Sequence, residues 1–258
     1  TLLNLKHKPQ LRNYRVVVSR PTSSCCLTCL CPIPPPCVYR SVYHQSSISG
    51  VTATVFGAMR AIALLDLPIH VVGILAAAEN MPSHMAYRPS DIITSGSGQT
   101  IEIVNTDAEG RLVMADALDL ALKSYKPDAM IDIATLTGAA MVAFGPWATA
   151  ALGNNDELID ELRVAGDVTG ETVWPMPLLD VHTKSMRSKV ADWKNSGGRD
   201  AGVSTAGAFL QGFVGDTPWV HLDIAGSGMT GNQTPLHIGG GTGVGVRMLT
   251  EWVRGRSE

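Results

Sequence analysis

Two carboxylates and a guanidinium alternate along the segment Asn105-Thr106-Asp107-Ala108-Glu109-Gly110-Arg111. Carboxylate oxygens are the ligands of hard divalent cations, and a carboxylate bridging two cations beside an arginine is suited to metal-assisted hydrolysis. If the chain is extended here, Asp107, Glu109 and Arg111 point to one side. Alternatively, Asp107 caps a helix and Glu109 lies in its first turn, near the positive end of the helix dipole. The spacing alone leaves both interpretations open.

The elements around this segment predict an α/β layered fold. The segment follows a predicted strand at 100–104, which pairs as a hairpin with 92–94, and it opens a predicted helix at 112–124. Apolar runs of strand length alternate with helical patterns, which indicates a central, mostly parallel (mixed) sheet flanked by helices. The further strands are expected at 70–78, 129–134 and 219–224, and the further helices at 52–65, 156–165, 205–214 and 243–254.

Loops at the carboxyl ends of such strands are where chemistry is expected to gather. In this chain they are the loops at 79–80, 105–111, 135–138 and 225–229. Two further acidic residues lie in or at the end of predicted strands. Asp132 needs a polar partner if it is buried, and the sequence does not name that partner. For Asp223 a capping or turn role is the stronger interpretation.

The segment Asn105-Thr106-Asp107-Ala108-Glu109-Gly110-Arg111-Leu112 is similar to the signature of the leucine aminopeptidase (cytosol aminopeptidase) family. The resemblance extends over residues 49–254. It includes the stretches Ser49-Gly50-Val51, Ala78-Glu79-Asn80-Met81-Pro82, Tyr87-Arg88-Pro89, Ala134-Thr135-Leu136-Thr137-Gly138-Ala139 and Asp223-Ile224-Ala225-Gly226. The eight-residue signature, in order with these stretches, identifies the chain as similar to that family's catalytic domain.

The resemblance implies a metal-dependent aminopeptidase that removes N-terminal residues, leucyl-type, from peptides. Two divalent ions, zinc or manganese, would serve as cofactors, with bicarbonate as a further bound group. Asp107 would bind a metal, Glu109 would bridge both metals, and Arg111 would hold the bicarbonate. The residues that would contact the peptide substrate are Thr135, Leu136, Gly138 and Ala225. Homo-hexamers in the cytoplasm, or alternatively in an organelle, are the assembly and location that the family implies.

The family pattern also includes lysine and aspartate ligands upstream of position 51, and residues 1–50 contain no aspartate at all. Two divalent ions bring four positive charges, whereas Asp107 and Glu109 supply two negative ones. We therefore expect this chain to bind two metals weakly, because a hard cation needs a nearly complete oxygen shell. The alternative function is a non-catalytic subunit or interaction protein that keeps the fold.

The net charge of −3 is the sum of two unlike parts. Residues 1–50 carry six basic and no acidic residues, whereas the rest carries 14 basic and 23 acidic ones. All five cysteines precede residue 38. A targeting peptide and a zinc site are weaker interpretations of 1–48 than a basic, Cys/Pro/Ser-rich segment without packed structure. The expected domains are thus 1–48 and a partial catalytic domain at 49–258, with neither a nucleic acid nor a membrane as partner.

Overall fold

The computed structural model describes residues 14–18, 46–76, 84, 86–231 and 239–257. Within these ranges the helices are α1 (Ser46–Leu64), α2 (Glu109–Tyr125), α3 (Gly138–Phe144), α4 (Asp156–Thr169), α5 (Asp180–Ser185), α6 (Gly202–Gln211) and α7 (Val246–Gly255). The strands are β1 (Tyr14–Val18), β2 (Val71–Leu75), β3 (Ile92–Thr94), β4 (Thr100–Glu102), β5 (Met130–Ala134), β6 (Thr149–Gly153), β7 (Val173–Pro175), β8 (Trp193–Lys194), β9 (Trp219–Asp223), β10 (Met229–Thr230) and β11 (Gly240–Gly241). The predicted α/β class is confirmed.

The central sheet has the strand order β5-β9-β6-β7 and is mixed, as predicted. Strands β5 and β9 are parallel, β9 and β6 are antiparallel, and β6 and β7 are parallel. The carboxyl ends of β5 and β9 therefore lie at one edge of the sheet, and those of β6 and β7 lie at the opposite edge. The sequence analysis did not predict β6, although four of its five residues are buried.

Helices cover both faces of this sheet because the side chains of a strand alternate between its faces. On one face, Ile133 and Leu222 pack into a core with residues of α4 and α7, such as Leu162 and Met248. On the other face, Trp219 and its neighbour Met130 pack with residues of α2 and α6. A smaller cluster between α3, α6 and β6 extends this second layer.

Strand β2 differs from its prediction as a strand covered on both faces. It is only partly buried and pairs with β1 in a separate antiparallel ribbon, with Tyr14 opposite Leu75. An apolar run of strand length does not specify the sheet that the strand joins, so the prediction of full burial for 70–78 is wrong. Apart from β1 and the start of α1, residues 1–48 lie outside the described residues, as does the loop at 79–80.

The glycine-rich loop before α7 enters the helix at close packing distance. Gly245 is the N-cap residue and has a φ of 91°. A Cβ at this position would lie 2.7 Å from Ile133 Cδ1, so the loop backbone packs directly on the sheet. Among the helices that the structure describes, none is long and apolar enough to cross a membrane.

Candidate active site

The signature segment leaves β4 through a tight turn. The Asp107 backbone N–H donates to Asn105 Oδ1 (3.0 Å), and the Ala108 N–H donates to the Asn105 carbonyl (3.3 Å). Helix α2 then begins at Glu109, with Ala108 as its N-cap residue and no capping side chain among the described residues. Both interpretations of Asp107, as part of an extended strand and as a helix cap, are therefore wrong. Asn105 instead closes a turn ahead of the helix.

The two carboxylates of the signature differ in their surroundings. Asp107 is exposed on the turn, whereas Glu109 is half-buried at the start of α2. The Tyr87 hydroxyl lies over the same turn and donates to the Thr106 carbonyl (3.4 Å). Burial, and secondly the negative charge of Glu109, raise the pKa of Tyr87 to about 12. Tyr87 thus remains a protonated hydrogen-bond donor beside Glu109 at neutral pH.

Asn195 fixes the backbone of the signature from a neighbouring strand. Its side chain is fully buried, and its Oδ1 accepts from the N–H groups of Val104 (2.9 Å) and Asn105 (3.2 Å). Its Nδ2 donates to the Asn105 carbonyl (2.6 Å). Parallel pairing of β4 with β8 brings Asn195 to this position directly after Lys194. One amide side chain therefore satisfies three backbone groups of the signature turn.

Arg111 is buried rather than open to solvent, with 8% of the residue exposed. Its Nη1 donates to the Asn195 carbonyl (2.8 Å), so Asn195 holds the arginine as well as the turn. Burial lowers the pKa of Arg111, and the negative charge of Asp223 opposes that effect. The guanidinium thus lies within the electrostatic influence of the carboxylate at the end of β9.

Asp223 joins the loops that follow β5 and β9. Its Oδ1 accepts from the backbone N–H groups of Leu136 (3.1 Å) and Ala225 (3.1 Å), and its Oδ2 accepts from the Thr137 hydroxyl (2.7 Å). The Thr137 Oγ1 in turn caps α3 by accepting from the Ala140 N–H (3.1 Å). The predicted turn role of Asp223 is confirmed, and one buried carboxylate fixes both predicted substrate loops.

The start of α2 lies beside these loops. A Cβ on Gly110 would lie 3.5 Å from Leu136 Cδ1, which is ordinary van der Waals distance. The structure therefore brings the signature helix, with Arg111, close to the 135–138 loop, where Thr135, Leu136 and Gly138 lie. Through Asp223, the same loop is joined to Ala225. The roles of these residues in binding metal, bicarbonate or substrate remain predictions.

The partner of Asp132 is His221, directly opposite it in the β5–β9 register. Asp132 Oδ1 lies 2.5 Å from His221 Nδ1, and Asp132 Oδ2 accepts from Trp219 Nε1 (2.6 Å). His221 is fully buried. Burial lowers the pKa of His221, but the negative charges of Asp132 and Asp223 outweigh it, so the net pKa is raised. For Asp223, burial raises the pKa, against the opposing effect of His221.

The described residues do not fit a complete two-metal centre. Across the described part of the chain, no three histidine, cysteine or acidic side chains converge as a metal site. Asp107 and Glu109 lie on the turn and the first residue of α2, and together they supply two carboxylates. A hard divalent cation requires more oxygen ligands than two side chains provide, so weak metal binding by this chain stays a prediction.

The sequence analysis did not single out Asn195, and it did not foresee the Asp132–His221 pair. Asn195 acts on backbone about 90 positions earlier in the chain, and Asp132 lies 89 positions before His221. Hydrogen bonds between residues so far apart in the chain produce no periodic pattern in the sequence, so local patterns cannot predict them. The only sequence signal was a buried acid inside a predicted apolar strand, which requires a polar partner without indicating which residue provides it.

The chain resembles known proteins over most of its length. Residues 43–250 match the model of the cytosol aminopeptidase family, catalytic domain. A probable cytosol aminopeptidase of Geobacter sp. (strain M21) is 52% identical over 202 residues, which cover 78% of this chain and 41% of that protein. Another, from Syntrophotalea carbinolica, is 55% identical over 199 residues, covering 77% and 40%. The chain thus spans about two fifths of the length of these curated relatives.

Solved structures also match this chain over most of its length. A bottromycin maturation enzyme in complex with Mn matches with a TM-score of 0.78 and 37% identity, covering 85% of this chain and 49% of that one. A mutant of tomato leucine aminopeptidase matches with a TM-score of 0.74 and 42% identity, covering 79% and 40%. With the family model matching 43–250 and the signature at 105–112, the chain belongs to the cytosol aminopeptidase family.

Proposed function

We propose that this chain is part of a metal-dependent aminopeptidase that removes N-terminal residues, leucyl-type, from peptides. The observation that carries the proposal is the meeting of the signature helix with the 135–138 loop at the carboxyl edge of β5 and β9. Gly110 lies beside Leu136 there, and Asp223 fastens that loop to Ala225. Membership of the cytosol aminopeptidase family supports the assignment.

Within this proposal, Asp107 and Glu109 are ligands of divalent metal, zinc or manganese, and Arg111 holds a bicarbonate. Asp107 is exposed and therefore accessible to an ion, and Glu109 is half-buried at the start of α2. The substrate contacts would come from Thr135, Leu136, Gly138 and Ala225. The manganese in the bottromycin maturation enzyme supports a divalent ion for this family's fold.

The residues of the 135–138 loop have a different proposed role from the carboxylates of Asp107 and Glu109. The Leu136 N–H and the Thr137 hydroxyl are both engaged by Asp223. They therefore shape the loop rather than contact the peptide. This leaves the other atoms of the 135–138 backbone to contact a peptide. A backbone held by a buried carboxylate is preorganised, which limits the entropy lost when a substrate binds.

We expect the purified 258-residue protein to bind Mn²⁺ weakly and to hydrolyse leucyl peptides little or not at all. Two carboxylates offset only half the charge of two divalent ions. In enzymes, loss of one group that stabilises the transition state lowers the catalytic rate on the order of 10²–10³-fold. Calorimetric titration with Mn²⁺ and release of leucine measure the two quantities. Glu109→Gln should weaken the binding further. Asp119→Asn, in the middle of α2, where the carboxylate pairs with Lys123, should leave it unchanged.

Two results would contradict these expectations. Robust, chelator-sensitive leucine release by the purified protein would show that the metal site is functionally complete. Equal Mn²⁺ binding by Glu109→Gln and the unmodified protein would remove Glu109 from the set of metal ligands.

The second candidate function is a non-catalytic subunit that assembles through the same fold. Large apolar side chains on and just after α3 favour it: Val142 is 89% exposed and Trp147 is 80% exposed. Such side chains on one surface region are suited to a subunit contact. We expect light scattering coupled to size exclusion to give a mass above that of a monomer, with a homo-hexamer as the assembly that the family implies. A monodisperse monomer would contradict this candidate.

A further inference from the structure

A row of ionisable side chains lies buried on one face of β5 and β9. Residues two apart on a strand share a face, so Trp219, His221 and Asp223 point to the same side of the sheet. Asp132 stands opposite His221 in the parallel register. The exposed fractions are 0% for His221, 1% for Asp223 and 8% for Asp132. The row leads along β9 to the carboxyl edge, where the candidate active site lies.

Asp132 fixes the orientation of His221. One carboxylate oxygen binds His221 Nδ1 at 2.5 Å, and the other accepts from Trp219 Nε1 at 2.6 Å, so neither the acid nor the ring is free to rotate. His221 Nε2 is buried and has no hydrogen-bond partner among the residues that the structure describes. A buried polar nitrogen in this state costs free energy, so the bond to Asp132 and the surrounding packing must hold the ring in place.

The charged groups around His221 come from three elements. Asp132 on β5 and Asp223 on β9 are carboxyl groups that raise the pKa of His221, and Arg111 on α2 is a guanidinium that lowers it. All four side chains are buried. Buried charges persist only when they are paired, so removal of one member leaves an uncompensated charge.

Asp223 transmits this arrangement to the site. It receives three hydrogen bonds, from the N–H groups of Leu136 and Ala225 and from the Thr137 hydroxyl. These bonds hold the two loops that the proposed function assigns to substrate. Any group that stabilises the Asp223 carboxylate in its present position therefore stabilises both loops.

We propose that His221, oriented by Asp132, is a positioning residue of the candidate active site: its imidazolium stabilises the Asp223 carboxylate that fastens the 135–138 loop to Ala225. That the two loops bind substrate rests on the proposed function. The link from His221 through Asp223 to these loops does not rest on it. Asp132 and Asp223 outweigh the cost of burial and raise the pKa of His221, which favours the charged form of the ring.

The test is amide hydrogen exchange followed by NMR on the full 258-residue chain with His221→Asn. The asparagine amide places a donor near the position of Nδ1, so the bond to Asp132 is retained while the ring charge is lost. We expect the amides of Leu136 and Ala225 to exchange at least tenfold faster. The control amide is Leu158, whose N–H donates to the side chain of Asn155 at the start of α4, away from this row. Its exchange should not change.

Two results would overturn the proposal. Unchanged protection at Leu136 and Ala225 would make His221 a core residue only, and an equal acceleration at Leu158 would show general destabilisation. If the variant does not fold, ¹⁵N spectra of the ring nitrogens in the unmodified protein decide: both nitrogens protonated at pH 7 supports the proposal, and a neutral ring overturns it. Neither measurement uses metal or substrate. Equal Mn²⁺ binding by Glu109→Gln and the unmodified protein would therefore count against the proposed function alone.

Discussion

Replacement of Asn195 by alanine is expected to lower the free energy of unfolding by roughly 3 kcal/mol or more. The side chain is fully buried and satisfies three backbone groups, the N–H groups of Val104 and Asn105 and the carbonyl of Asn105. The two N–H groups lose their acceptor, whereas the Asn105 carbonyl keeps the Ala108 N–H as a donor, and each N–H left unsatisfied costs about 1–3 kcal/mol where water cannot reach it. Urea denaturation followed by circular dichroism measures the change. We also expect exchange of the Val104 amide to accelerate, because its acceptor is lost.

Asn154 provides a matched control for this substitution. Its side chain also bridges two backbone groups, accepting from the Trp219 N–H (2.8 Å) and donating to the Thr217 carbonyl (2.9 Å), but it is exposed. Water can replace its lost bonds, so Asn154→Ala should cost about 1 kcal/mol. Equal losses for the two variants would mean that the burial of Asn195 adds nothing, and that the signature turn is held by other contacts.

Replacement of Glu171 by alanine is the second large effect, about 3 kcal/mol of destabilisation. Only 5% of Glu171 is exposed, and its Oε2 accepts from the N–H groups of Gly245 (3.1 Å) and Met248 (2.9 Å). Its Oε1 accepts from Arg247 Nε (3.2 Å). The variant leaves two buried N–H groups unsatisfied at the start of α7 and removes a negative charge from the positive end of the helix dipole. Thermal and urea unfolding measure the loss.

A second glutamate, on α7 itself, is the control for this change. Glu251 pairs with Arg254 one turn later (2.6 Å), and 46% of that arginine side chain is exposed. Surface pairs of this kind contribute about 0.5 kcal/mol, so Glu251→Ala should be nearly neutral. A loss for Glu171→Ala no larger than that for Glu251→Ala would show that α7 does not depend on Glu171 for its N-terminus.

The sequence predicted the elements whose residue types match their surroundings. Strands β5 and β9 are apolar runs that pair in parallel at the centre of the fold, and both were predicted to within a residue at each end. Strand β6 was missed because Thr149–Gly153 is short and rich in small residues. Its strand conformation follows from its place between β9 and β7, which is a property of the sheet rather than of the segment.

The candidate site was predictable only in its local part. The signature at 105–111 could be found because its charged residues are adjacent in the sequence. Its conformation could not be predicted, because a carboxylate just before a helix is also typical of a helix cap. Asn105 instead closes a turn ahead of α2 by accepting from the Asp107 N–H. The groups that fix the site, Asn195 and His221, are far away in the chain and follow no period. Only the tertiary pairing of β4 with β8 and of β5 with β9 brings them into place.

Because β6 runs antiparallel to β9, the carboxyl ends of the strands lie at two opposite edges of the central sheet. One edge holds the candidate active site, and the other is available for modification of the chain. A fused domain, a tether or a fluorescent reporter attached at the exposed Asp160 would lie on α4, which begins after β6 reaches the far edge. The residues that hold Arg111 and the substrate loops stand across the width of the sheet. Asp160 is thus a suitable attachment point, because a group attached there would lie far from the residues that hold Arg111 and the substrate loops.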